Sequence, residues 1–134
     1  MHRPHKHLIL DGFVKFPPQD EAEAKRELAR IITDIQMVVA QLSNGQGNPF
    51  AWYCDDPDNR GLTAGGILTT SHIIMHVWDV DHPAPFHFDL YSCSDFEVDY
   101  VLARLDDLYG FTGEVYGYLI DRNGRSLEVV SKTY

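Results

Sequence analysis

Between Glu21 and Leu42, apolar residues recur at Leu28, Ile31, Ile32, Ile35, Val38, Val39 and Leu42, the three-and-four spacing of a helix with one apolar face. A stripe of that kind is buried against a second layer, so the rest of the chain has to supply one. Pro17-Pro18 precedes the stretch, Asp20 is placed to cap its N-terminus, and Asn44-Gly45 offers a stop. A second helix is predicted after Ser94-Asp95-Phe96-Glu97, which has the form of a capping box, with Ser at the cap and Glu three residues later. Its apolar positions are Val98, Val101, Leu102, Leu105 and Leu108, and Gly110 ends it.

The remaining segments are β-prone. Leu8-Ile9-Leu10, running on to Phe13-Val14-Lys15-Phe16, reads as a strand leading into the first helix. Residues 45–66 are rich in Gly, Asn, Asp and Pro and read as loop with one short strand. The runs Ile67 to Trp78 and Phe86 to Cys93 flank the turn-forming stretch Asp79 to Pro85 and should pair antiparallel. Near the end, Glu114 to Ile120 and Ser126 to Val130 flank Asn123-Gly124, a strong hairpin signal. Strands and helices do not alternate regularly, which predicts an α+β fold: an antiparallel sheet with both helices packed on one face.

A chain of 134 residues fits one domain spanning residues 1–134. With 44% apolar and 23% charged residues it can bury a core. Eleven basic against twenty acidic side chains give a formal charge of −9, a field that repels phosphate backbones and anionic lipid, so neither nucleic acid nor a membrane is an expected partner. No stretch approaches the ~18 apolar residues of a membrane span. The basic opening Met1 to His7 is not followed by an apolar signal core, so a cytoplasmic protein is expected. In that reducing compartment Cys54 and Cys93 should remain thiols.

Seven histidines are present, and His2, His5 and His7 crowd the first seven positions. No cysteine or carboxylate stands near them at ligand spacing, so an exposed terminus is the expectation and no metal is predicted, although His7 enters the first strand. Period-two geometry puts His72, Ile74, His76 and Trp78 on one strand face, and on the next strand aligns His87, Asp89, Tyr91 and Cys93. One sheet face therefore carries bases, an acid, a phenol and a thiol. His72 and His76 would stand about 13 Å apart at ~3.3 Å per residue, too far to share an ion. Cys93 precedes the expected cap Ser94, where a helix N-terminus would favour a thiolate; a small buried hydrophobe at a strand end is the alternative.

Thr69-Thr70-Ser71-His72-Ile73-Ile74-Met75-His76-Val77-Trp78, followed by Asp89-Leu90-Tyr91-Ser92-Cys93, resembles the small prokaryotic S-adenosylmethionine decarboxylases. The opening His7-Leu8-Ile9-Leu10-Asp11 is similar to that family's first strand, and the resemblance spans most of the chain. It implies a proenzyme that cuts itself between Thr70 and Ser71 and converts Ser71 into a pyruvoyl group, which holds the substrate amine as a Schiff base and accepts the electrons released with carbon dioxide. No dissociable cofactor is then needed. By the family pattern His76 is the base in processing, Cys93 returns a proton to the substrate, and Thr63 stands where the family has a serine that assists processing. Family members are dimers whose sheets build a joint site, so a homodimer, forming a sandwich of sheets, is the implied unit.

The chain departs from the family in three places. Thr70 replaces a glutamate before the cleaved serine, Trp78-Asp79-Val80 replaces Trp-Pro-Glu, and the span from His76 to Cys93 is about two residues longer. The second change removes the glutamate that holds the ribose hydroxyls, leaving Asp79 or Asp81 as replacements. Three functions follow from the resemblance: an S-adenosylmethionine decarboxylase of spermidine and polyamine biosynthesis, a pyruvoyl decarboxylase acting on ornithine or arginine, or an uncleaved homologue without catalysis.

Overall fold

A computed structural model of the chain describes residues 4–38, 49–68 and 70–134. Among them seven strands, β1 (Lys6–Val14), β2 (Phe50–Cys54), β3 (Gly61–Leu68), β4 (Ser71–Trp78), β5 (Ala84–Ser92), β6 (Glu114–Asp121) and β7 (Ser126–Thr133), accompany two helices, α1 (Glu21–Val38) and α2 (Val98–Tyr109). The strands form one sheet in the order β2-β3-β4-β5-β1-β6-β7, and every neighbouring pair is antiparallel. The fold is α+β, with an antiparallel sheet and two helices.

Alternation along the strands separates two faces. Leu8 and Leu10 of β1, Ile73 and Met75 of β4, and Phe86 and Phe88 of β5 are buried in one cluster with Leu28, Ile31 and Ile32 of α1 and Val101, Leu102 and Leu105 of α2. Both helices thus cover the same face, each by the apolar stripe its spacing predicts. Full burial of a side chain such as Phe86 contributes about 1.5–3 kcal/mol. The opposite face carries the polar and aromatic residues.

The helix ends differ from expectation at one point. Asp20 Oδ1 accepts the Glu23 N–H at 2.8 Å, so α1 starts as predicted; Val39, Leu42 and the Asn44-Gly45 stop lie outside the described residues. At α2 the N-cap is Glu97, with no side-chain capping bond, so the helix begins three residues later than a cap at Ser94 predicts. Ser94 is buried at the exit from β5, where its N–H donates to Ser92 Oγ at 3.1 Å and the Ser92 hydroxyl donates to the Ser94 carbonyl at 2.7 Å. A local turn therefore uses the serine pair before the helix begins. Gly110 ends α2 with φ 66°, as its sequence position predicts.

Two strands stand where mostly loop was expected. β2 and β3 pair from Phe50↔Gly65 to Cys54↔Gly61, and the glycines that suggest loop serve close packing instead. A Cβ on Gly61 would sit 2.1 Å from the Val77 carbonyl oxygen of β4, and one on Gly65 would meet the Phe50 ring at 2.7 Å. The run Ile67 to Trp78 is likewise not one strand. It folds back between Leu68 and Ser71, which pair across the connection, although no Gly, Asn or Pro announces a turn there. The terminal hairpin forms as predicted, with Asp121 Oδ1 accepting the Asn123 and Gly124 N–H groups at 3.1 and 2.9 Å.

Candidate active site

The uncovered sheet face holds the chemistry-bearing residues. Registers His76↔Thr63, His76↔His87 and His72↔Tyr91 place the β4 imidazoles beside groups from both neighbouring strands, and His72 and His76 share that face as their spacing predicts. His72, His76, His87 and Asp89 line a cleft of about 290 Å³ together with Asp11 and Ile74. A second cleft of about 320 Å³ lies beside it, lined by Thr63, His76, Trp78 and Cys54.

Thr63 and His76 form a pair, with Oγ1 and Nδ1 2.8 Å apart. Burial pushes the His76 pKa below its ordinary value and the nearby His87 adds to the effect, against a smaller opposing pull from Asp89. The ring is therefore neutral at neutral pH, the form a general base needs. Trp78 packs edge-on against His87, with ring centroids 4.8 Å apart.

A third constellation joins β1, β4 and β5. His7 Nε2 lies 2.7 Å and His72 Nε2 3.2 Å from the same Asp89 oxygen, Oδ1. Partial burial pushes the Asp89 carboxyl up, but the hydrogen bond and charge of His7, reinforced by His72, outweigh it and hold the group below its ordinary value. Tyr91 stacks on His72 at 14° and meets His7 edge-on, while its hydroxyl lies 2.7 Å from His5 Nδ1. The alternation shows each residue's face, but nothing local in the sequence shows that β1 runs beside β5, and the grouping depends on that pairing.

Ser71 begins β4 on the helix-facing register and is buried. Its Oγ accepts the Cys93 N–H at 3.0 Å, so the serine and the cysteine adjoin although 22 positions separate them. Thr70, just before it, is exposed and has φ 48°. That left-handed conformation is strained for a β-branched residue, immediately before Ser71. His76, five residues further along β4 on the other face, is some 16 Å away at the strand rise. A single chain therefore holds Ser71 apart from the Thr63–His76 pair.

The predicted environment of Cys93 needs correction twice. β5 ends at Ser92, and Cys93 is buried instead of continuing the row of His87, Asp89 and Tyr91, because the Ser92–Ser94 turn carries the chain off the sheet. The helix N-terminus expected beside it opens only at Val98, so the dipole argument for a thiolate does not hold. Neither Cys93 nor Cys54 is in a disulfide.

Of the two aspartates proposed for the substrate, Asp79 is engaged elsewhere. Its carboxylate receives Arg60 Nε at 2.8 Å, and Arg60 also donates to the Asp79 carbonyl at 3.2 Å. Asp81 is exposed in the loop before β5. Neither lines the clefts that hold His76.

Comparison with models of known protein families and with curated proteins finds no match to this chain. Among the described residues no helix is long and apolar enough to cross a membrane.

Proposed function

We propose that the protein is a self-processing, pyruvoyl-dependent decarboxylase acting on S-adenosylmethionine as a homodimer. The observation that carries this reading is the junction at the start of β4: a buried serine hydroxyl beside Cys93, directly after a strained Thr70. Ser71 Oγ attacks the Thr70 carbonyl carbon, the C–O bond forms as the C–N bond breaks, and the turn relaxes as the peptide becomes an ester. Removal of the Ser71 Cα proton then expels the Thr70 carboxylate, and water replaces the freed amino group, which leaves as ammonia. The resulting pyruvoyl group supplies an electron sink for decarboxylation. In this reading the Cys93 thiol returns the proton; its backbone N–H donating to Ser71 Oγ supports the assignment.

The composition of the uncovered face supports homodimerisation. The uncovered face presents Phe13, Phe50, Trp52, Ile67, Leu127 and Val129 on the same register as Thr63 and His76, with Trp52 75% and Ile67 74% exposed. Exposed apolar side chains on β1, β2, β3 and β7 of one face suit a second sheet packed face to face.

A second substrate class is favoured by one observation. The Arg60–Asp79 pair leaves that carboxylate occupied, which supports ornithine or arginine, neither of which has a ribose to hold. The test incubates processed protein with carboxyl-labelled S-adenosylmethionine, ornithine and arginine, and adds a reductant to trap substrate on the new N-terminus. Label released from S-adenosylmethionine, and lost in Ser71→Ala, supports the first reading. Release only from an amino acid transfers it to the second, and no release from any of the three rejects both.

A further inference from the structure

Two imidazole nitrogens and one carboxylate oxygen from three adjacent strands converge on the uncovered face. The ligand atoms of His7, His72 and Asp89 all lie within 4.8 Å of one another, with the two Nε2 atoms 2.7 and 3.2 Å from Asp89 Oδ1. In a tetrahedral zinc site with bonds of about 2.0–2.2 Å, neighbouring ligand atoms stand roughly 3.3 Å apart. The three groups already sit near that spacing without any backbone change.

The supporting geometry is also that of a held site. β1, β5 and β4 are consecutive in the sheet, and both histidines pair with Tyr91 of the middle strand. Backbones about 4.8 Å apart bring the flanking imidazoles in from either side of β5. Tyr91 fixes both rings, by stacking on His72 and by an edge contact with His7, and is itself tied to His5. These ring contacts restrict both imidazoles from beyond the ligand atoms. In the single chain His7 is largely covered, whereas His72 and Asp89 remain about 40% exposed.

We infer that His7, His72 and Asp89 form a binding site for one divalent first-row transition cation, with the remaining coordination positions open to water or a ligand. Two nitrogens and one carboxylate select such a cation over the oxygen-preferring magnesium or calcium. Without the ion, the two rings share Asp89 through Nε2–H donors. On binding, each ring carries its proton on Nδ1 and turns the Nε2 lone pair to the ion, which takes the place of both N–H donors beside the carboxylate. The site does not rest on the pyruvoyl reading, since it needs neither cleavage at Ser71 nor a substrate.

The test uses the full chain freed of metal with a chelator, then titrated with Zn²⁺ against a competing indicator and separately with Co²⁺. The expected result is one Zn²⁺ per chain at micromolar or tighter affinity, and Co²⁺ absorption without a sulfur-to-metal charge-transfer band. Outer residues of metal sites typically change affinity by about 10–100-fold, so loss of a ligand in Asp89→Asn or His72→Gln should weaken Zn²⁺ at least tenfold, with His82→Gln unchanged. No Zn²⁺ bound at micromolar concentration, a thiolate band, or equal affinity in Asp89→Asn would overturn the assignment. If those variants do not fold, anomalous scattering from wild-type crystals soaked in Zn²⁺ decides. A peak about 2.0–2.2 Å from the three ligand atoms supports the site, and a peak elsewhere or none refutes it.

Discussion

Glu27 lies on α1 with Oε1 buried and without a hydrogen-bond partner. Burial, then the charge of Glu23, pushes its pKa from the ordinary 4.5 up to about 7, against the weaker pull of Arg30 and Arg26. Between those two values the folded chain binds more protons than the unfolded one, so stability falls as pH rises through the window and is lowest above pH 7. A shift of that size corresponds to roughly 3 kcal/mol for a dry site, and about 1–2 kcal/mol once the half-buried side chain's access to solvent is allowed for. Glu27→Gln keeps the shape and removes the titration. In urea unfolding at fixed protein concentration, the variant should exceed wild type by about 1–2 kcal/mol at pH 8.5, shrinking to roughly a quarter of that near pH 5. A variant equal to or weaker than wild type at pH 8.5, or a gap independent of pH, would refute the reasoning.

Three further outcomes follow from the packing and the sheet face. Phe86 is fully buried against Phe88, Tyr109 and Phe111, so Phe86→Ala should lose about 3–5 kcal/mol in the same unfolding assay. Wild type should sediment as a dimer and the doubly substituted Trp52→Glu, Ile67→Glu chain as a folded monomer; an unchanged dimer would place the interface on another surface. Thr63→Val removes the partner of His76 Nδ1, and cleavage before Ser71, followed by gel after synthesis, should slow by about a hundredfold, the low end of the roughly 10²–10⁴ that a positioned proton-transfer group contributes. Restoration of the rate by Thr63→Ser would tie the effect to the hydroxyl.

Both helices, β5 and the closing hairpin were legible in the sequence because their signals are local: a 3.6-residue stripe, a two-residue alternation, Asp20 at a cap and Gly110 at a stop. β2 and β3 were not, because Gly61 and Gly65 serve close strand packing while resembling loop punctuation. The fold-back at Thr70 was hidden for the opposite reason, since a β-branched residue occupies a turn conformation that usually selects Gly or Asn. Ser94 misled because one serine pattern serves both a helix cap and the local turn with Ser92.

At the site, the shared face of His72 and His76 and the placement of His87 and Asp89 beside them could be read from alternation alone. The meeting of His7 with Asp89 across 82 positions, and of Ser71 with Cys93 across 22, could not, because strand register is a long-range property that the sequence does not display. The same limit hid the convergence of His7, His72 and Asp89: alternation relates His72 and His76 on one strand, whereas these three come from three.

The most direct test of the proposed chemistry is the intact mass of freshly purified protein under denaturing conditions, which asks about the Thr70–Ser71 bond without assuming a substrate. The expected result is two fragments, residues 1–70 and the remaining 64 of the 134, with the second lighter by one ammonia than a fragment beginning in serine. A single uncut chain, stable over days at neutral pH, would contradict it and leave the protein without a route to a pyruvoyl group.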